Sequence, residues 1–294
     1  MHGILERPIR ARASVVRACA RSAVALALLV GAAGSANAEA AADRFDVVIV
    51  DAGHGGEDTG ARGAGGLVEA HLVLDVAKRV AGRLRESGLT VVLTRSDDRF
   101  VPLETRTSVA NDARGDLFIS IHANSARSAQ PRGIETYFVS LEASDDLSGE
   151  VAARENESLR AVAPASLELD PLSAILGDMA VNEHVRESSG FAKRAHAELA
   201  AIDPIPSRGV KQAPFVVLMG VRMPATLLEI GFVSNGEDER ALRTSKRRDQ
   251  IASAIARAVV AFGTEYDRRH GAQHATSPAP SATPRPVPAD RTDP

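Results

Sequence analysis

Two histidines and two glutamates stand beside apolar runs in this chain, and they are the residue types that metal-assisted hydrolysis needs. His54 lies in Asp51-Ala52-Gly53-His54-Gly55-Gly56, and His122 in Ser120-Ile121-His122-Ala123-Asn124-Ser125. Glu69 opens a helix-spaced stretch, and Glu229 lies in Leu227-Leu228-Glu229-Ile230-Gly231-Phe232. Two His and one Glu make a known catalytic zinc set, with a fourth position left for water. Zinc held this way lowers the pKa of its water to about 7 and polarises a carbonyl. A separate carboxylate then serves as general base toward that water. By count, His54, Glu69 and His122 supply ligands and Glu229 the base. Each also has a structural reading. A histidine at a strand end can be a hydrogen-bonded framework group, Glu69 can complement a helix dipole, and Glu229 can be a buried ion-pair partner. None of the four sits in a local HExxH helix, so spacing alone leaves these readings open. The glycines around His54 match neither a P-loop nor a dinucleotide fingerprint. They permit a tight bend and the close approach of a substrate.

The elements that must position these residues alternate along the chain. Phe45–Asp51, Leu89–Arg95, Asp116–His122, Gly133–Ser140, Phe215–Met219 and Ala225–Ile230 are apolar, β-branched runs that read as strands. Glu69–Ser87 has apolar residues at Leu72, Val76, Val80 and Leu84 and ends at Gly88, which reads as a helix with a glycine stop. Further helices are expected from Pro102 to about Arg114, over Glu187–Ala201 and over Lys246–Arg268. Strands alternating with helices predict an α/β sheet of about six strands, with helices on both faces. Ligands in such folds bind at the carboxyl ends of strands. His54, His122 and Glu229 stand there.

The ends of the chain differ from its middle. Five arginines against Glu6, an apolar run Ala23–Ala33 and Ser35-Ala36-Asn37-Ala38 describe a secretory signal peptide over residues 1–38. The run is too short to span a bilayer comfortably, so no stable membrane insertion is expected after its removal. No lipobox surrounds Cys19, and this single cysteine leaves with the signal. One cysteine excludes a disulfide framework and a Cys-rich metal site. The formal charge of −3 gives no argument for nucleic acid as a partner, and 3% aromatics with no Trp argue against a base-stacking platform. Residues 271–294 hold six of the 15 prolines and almost nothing large and apolar, which reads as a disordered tail. Residues 43–270 then form one domain, and a monomer is expected.

Five blocks carry a family resemblance: VVIVDAGHGGEDTGARG, GLVEAHLVLDVAKRV, FISIHANSA, RGIETYFVS and PATLLEIGFVSN. In order and spacing they resemble the zinc-dependent N-acetylmuramoyl-L-alanine amidases of the Amidase_3 type, over about Phe45 to Tyr266. The resemblance implies a three-layer αβα fold with a mixed, mostly parallel sheet. It implies Zn2+ on His54, Glu69 and His122, with Glu229 as catalytic glutamate. It implies peptidoglycan as substrate, cleaved between N-acetylmuramic acid and L-alanine of the stem peptide, in the periplasm and in the service of cell-wall remodelling and daughter-cell separation. Arg106 and Asn111 also fit the pattern, as structural residues fixing a short helix to the sheet.

Residues 141–187 interrupt this pattern. Within 141–170, eight acids face only Arg154 and Arg160, a net −6. The stretch Ala153-Arg154-Glu155-Asn156-Glu157-Ser158 is similar to the ARENxS stretch of division-type amidases. In those, the insertion is a helix that covers and inhibits the active site, through an acidic side chain that reaches zinc. Glu155 is the first choice for that role, with Glu157 second, and a LytM-like, catalytically inactive partner is implied as activator. Only about five residues separate Ala38 from the domain, so the wall-binding AMIN domain of larger relatives is not expected. Two rival readings remain: a zinc carboxypeptidase-like exopeptidase, with Arg208 or Arg222 clamping a carboxylate, and a non-catalytic peptidoglycan-binding regulator.

Overall fold

The structure, a computed structural model, describes residues 44–157, 179–202 and 206–270. The expected signal peptide, the expected tail and part of the insertion lie outside these residues. The elements below belong to the compact unit that includes Phe45–Tyr266, apart from the last residues of the final helix.

The strands are β1 (Val47–Ala52), β2 (Thr90–Leu93), β3 (Leu117–Asn124), β4 (Ile134–Val139), β5 (Ser207–Ala213) and β6 (Ala225–Phe232). They form one sheet in the order β2-β1-β3-β6-β4-β5. All neighbours are parallel except β4 and β6. The helices are α1 (Glu69–Glu86), α2 (Leu103–Asp112), α3 (Asp146–Glu155), α4 (Met179–Ala200), α5 (Val216–Met219), α6 (Gly236–Leu242) and α7 (Ser245–Arg269). This is the expected mixed, mostly parallel α/β sheet of six strands with helices on both faces.

Two cores flank the sheet, because successive strand side chains point to opposite faces. Val48, Val50, Ile119, Ile121, Leu228 and Ile230 pack on one face with α1, α4 and α7. Ile49, Phe118, Tyr137 and Leu227 pack on the other with α2, α3 and α5. That second face changes character along its strands. Ile49 gives way to Asp51, Phe118 to Ser120 and His122, and Leu227 to Glu229, all buried. An apolar core therefore grades into a polar floor at the carboxyl ends of the strands.

Two expectations are corrected. Phe215–Met219 is not a strand; Val216–Met219 is the short helix α5. An apolar run this short carries no periodicity that separates strand from helix. The sixth strand is instead β5, whose sequence SRGVKQA is mostly polar and only partly buried. It is an edge strand, paired on one side to β4, so it needs no continuous apolar run. In addition, α4 begins at Met179, earlier than Glu187.

Candidate metal centre

His54 is placed by a loop that leaves β1 and turns sharply. Its own φ is 57°, a left-handed conformation that non-glycine residues rarely hold. Two buried arginines hold it there. Arg106 donates to the carbonyls of Ala52 (2.6 Å) and His54 (2.8 Å) and to Asp51 Oδ1 (2.8 Å). Arg95 donates to the carbonyls of Ala52, Gly53 and Ala70 at 2.7–2.9 Å. Asp51 also accepts from Thr94 and Ser120. Burial would raise its pKa, but Arg106 and these hydroxyls outweigh burial and lower it. Arg106 thus anchors α2 to the end of β1, as expected of a structural residue. Asn111 holds Gly220 O and Arg222 N on the loop before β6.

Glu69 is the first residue of α1, yet its carboxylate turns inward. Its Oε2 accepts from Ala61 N and its Oε1 from Ala123 N, both at 2.9 Å. A Cβ on Gly60 would lie 2.6 Å from His54 Cδ2 and 2.7 Å from Glu69 Oε2, so only glycine fits where this loop passes the two side chains. His122 lies inside β3, two residues before its end.

These side chains converge. His54 Nε2 is 3.1 Å from Glu69 Oε1, and His122 Nδ1 is 3.3 Å from it. Glu155, the last residue of α3, puts Oε2 at 3.2 Å from His54 Nε2 and 2.8 Å from His122 Nδ1. The donor atoms of His54, Glu69, His122 and Glu155 all lie within 4.8 Å of one another, one ligand atom from each. His54 Nε2, His122 Nδ1 and Glu155 Oε2 are buried with no hydrogen-bond partner. Buried polar atoms without partners are rare, and a shared cation would satisfy all three. The nitrogen, nitrogen, oxygen, oxygen set suits zinc, though its chemistry also admits other divalent ions. His54 Nδ1 faces Asp58 at 3.0 Å, the carboxylate–histidine pairing that fixes a ligand's tautomer.

The carboxylates dominate the electrostatics of this cluster. Burial opposes the charged imidazolium of His122, but Glu155 and Glu69 overcome it and raise its pKa to about 10. His54 is raised for the same reason. Burial works against the Glu69 carboxylate too, but His54 and His122 bring its pKa down to about 2.

Glu229 stands beside this cluster. Its register partner on β3 is His122, and it is fully buried. Neither of its carboxylate oxygens has a hydrogen-bond partner. Burial first, then the negative charge of Glu155, pushes its pKa well above the usual carboxylate range. A cavity of about 690 Å³ opens next to the cluster, lined by His54, Phe100, Ser125, Arg154, Glu155 and Glu157. Glu157 therefore borders the cavity, outside the four-donor set.

Sequence reasoning singled out all four converging donors and Glu229. It missed Asp58, whose only signal is its place four residues after His54. It also missed Arg95, and Glu135 on β4 with Lys211 on β5, which donates to it at 3.0 Å. Arg208 and Arg222 form no common clamp. Arg208 bonds Glu135 on β4, whereas Arg222 sits on the loop before β6.

The Amidase_3 family model, described as N-acetylmuramoyl-L-alanine amidase, matches residues 48–261. The amidase AmiA of Escherichia coli (strain K12) is 35% identical over 225 residues, covering 76% of this chain and 78% of that protein. The amidase AmiC of Escherichia coli O6:H1 is 32% identical, covering 76% of this chain and 54% of that protein. Among solved structures, the amidase AmiC2 of Nostoc punctiforme superposes with a TM-score of 0.55 at 30% identity, covering 74% of this chain and 97% of that one. Fold, converging site and matched length together make this chain a member of the N-acetylmuramoyl-L-alanine amidase family.

Proposed function

We propose that this chain hydrolyses the amide between N-acetylmuramic acid and L-alanine in peptidoglycan, with His54, Glu69 and His122 as metal ligands and Glu229 as proton carrier. The observation that carries the reading is the Glu229 carboxyl. A buried carboxyl with no partner, one register step from a cluster of orphaned donors, has no structural task to explain it. A zinc ion on the three ligands would acidify a water and polarise the lactyl carbonyl when bound. Glu229 takes the proton from the attacking water and delivers it to the L-alanine nitrogen as that nitrogen leaves. Its raised pKa suits a group that must both accept and return a proton. Asp58 keeps the His54 ring oriented, and the Arg95–Arg106 pair keeps the loop in its left-handed turn.

The covered state is part of the same reading. Glu155 stands among the donors where a water would bind, so α3 holds the enzyme at a low basal rate until a partner displaces it. The implied partner is a LytM-like activator. Residues 1–38 direct export to the periplasm, residues 43–270 are the catalytic domain, and residues 271–294 are a tail. Among the described residues, no helix is long and apolar enough to cross a membrane.

The test is product analysis on purified peptidoglycan. Full-length protein should release stem peptides with a free L-alanine amine, and a chelator should abolish release. Glu229→Gln should lower the rate about 10²–10⁴-fold, the usual size of a lost general base, while zinc content by atomic absorption is unchanged. A Glu229→Gln protein that holds zinc and digests at the normal rate would sink the assignment.

A further inference from the structure

The sheet register lines up more chemistry than the proposed reaction uses. His122 on β3 pairs with Glu229 on β6, and Glu229 pairs with Glu135 on β4. Glu135 in turn accepts from Arg208 Nε (2.8 Å) and Lys211 Nζ (3.0 Å) of β5. One face of the sheet therefore carries, in a row, a metal ligand, the proton carrier, a carboxylate and two cations. Strands lie about 4.8 Å apart, so the backbone of β5 runs about two spacings, ~10 Å, from that of β6.

Glu135 is not a second base. Its Oε2 accepts from Asn124 Nδ2 and Tyr137 OH, both at 2.8 Å, and its Oε1 from the two cations. Its lone pairs are filled, and Arg208, Lys211 and Tyr137 outweigh burial and keep it ionised. Two cations on one carboxylate leave one positive charge over. That charge is met from outside the sheet. Lys211 Nζ reaches Asp145 Oδ2 at 3.2 Å, and Asp145 is the N-cap of α3. Lys211 is largely buried, whereas the Asp145 side chain is half exposed.

So α3 carries a carboxylate at each end. Glu155 ends on the metal-ligand cluster, and Asp145 ends on the cationic end of the row. A ten-residue helix is about 15 Å long, matching the three strand spacings from β3 to β5.

Resting on the amidase reading above, we infer that Lys211 and Arg208 form a subsite for a carboxylate on the residue that follows L-alanine in the leaving peptide, and that Asp145 occupies this subsite while α3 is in place. The geometry fits. Two residues of extended peptide span about 7 Å, and a hydrogen bond of about 3 Å joins the scissile nitrogen to Glu229, so a carboxylate on the second residue covers the ~10 Å from Glu229 to β5. A buried lysine with a surplus charge favours such a group over its neutral amide. The helix imitates the substrate at two points, and the activator must undo both.

The experiment compares two forms of one substrate. Purified peptidoglycan is digested as isolated, and again after its carboxylates have been converted to primary amides with carbodiimide and ammonia. Peptide release is followed at limiting substrate, with full-length zinc-loaded protein and with its Glu155→Ala variant, which uncovers the metal. The native form should be cleaved at least about tenfold faster, which is what one charge-assisted hydrogen bond supplies. Lys211→Met should bring the two rates together, whereas Arg257→Met, a change at an exposed cation elsewhere, should leave their ratio unchanged. Asp145→Asn keeps the helix cap but releases Lys211. Added to Glu155→Ala, it should speed cleavage of the native form more than of the amidated form, whereas a merely structural Asp145 would move both equally. The ratio compares one protein with itself, so partial misfolding does not alter it. Equal rates on both forms, or a ratio that survives Lys211→Met, would overturn the subsite and leave the amidase function standing. Release from neither form, with or without Glu155, would instead overturn the amidase reading beneath it.

Discussion

The loop that carries His54 and the helix that carries Glu155 meet at the same donor atoms, but they are fastened to the fold by different means. The loop is held from inside. Arg95 and Arg106 are buried, and they reach the carbonyls of Ala52, Gly53, His54 and Ala70. Each charged, buried bond of this kind is worth about 1.5–3 kcal/mol, and none can break without leaving a buried charge unmet. The helix α3 is held mostly through side chains near its ends. Lys211 meets a half-exposed Asp145, Arg154 meets Asn124 Oδ1 (2.7 Å), and Asn156 meets Pro214 O and Val216 N. Only Val151 and Ala152 pack into the second core from its apolar face. Partly exposed ion pairs contribute about 0–1 kcal/mol each. Three of the four converging side chains are thus held by the buried framework, and the fourth, Glu155, is carried by a helix whose other polar ties are partly exposed.

The largest effect is expected from the loss of a framework arginine. Arg106→Met should cost about 3–5 kcal/mol, since it strands the buried Asp51 charge. Urea unfolding of the zinc-free protein at pH 7 measures it, and a loss below about 1 kcal/mol would remove the contrast. The same pair has a pH signature. Asp51 is lowered from its ordinary value of 3.8 in the folded state. Its contribution is therefore complete above that value and is lost as pH falls through the lower, folded one. The stability gap between the native protein and Asp51→Asn should be constant from pH 7 to about 5 and narrow below pH 4.

Next in size is removal of the cover. Deleting residues 145–185 should raise basal peptide release about 5–150-fold, the range of a 1–3 kcal/mol coupling. An unchanged or lower rate in a protein that still melts cooperatively would count against α3 as an inhibitor. The smallest effect is expected from Arg154→Met. It should lower the global unfolding free energy by no more than about 1 kcal/mol. Hydrogen exchange should nevertheless quicken selectively at the α3 amides. A loss as large as that of Arg106→Met would show that the cover is built into the framework after all.

Much of this site was legible in the sequence because its parts lie where local signals are strong. His54 and Glu229 follow apolar β-branched runs, Glu69 opens an amphipathic helix, and five blocks placed them together with His122. β5 was illegible for the opposite reason. An edge strand buried on one side can be polar, and SRGVKQA carries no period to read. Val216–Met219 misled because four apolar residues fit either element. Arg95 looked like the last residue of a strand, and nothing local says that its guanidinium gathers carbonyls from β1 and α1.

The residues themselves determined which groups could bind a metal and move a proton, because such chemistry depends on side-chain type and on the turns around it. The alternation of each strand also determined that these groups share a face. Only the tertiary structure decided what stands next to them. The order β3-β6-β4-β5 brings together strands from distant parts of the chain, and with them His122, Glu229, Glu135 and Lys211. The length and placement of α3 then decide that one helix touches both ends of that row. Neighbours across a sheet are set by packing over the whole fold, which no local stretch of sequence encodes.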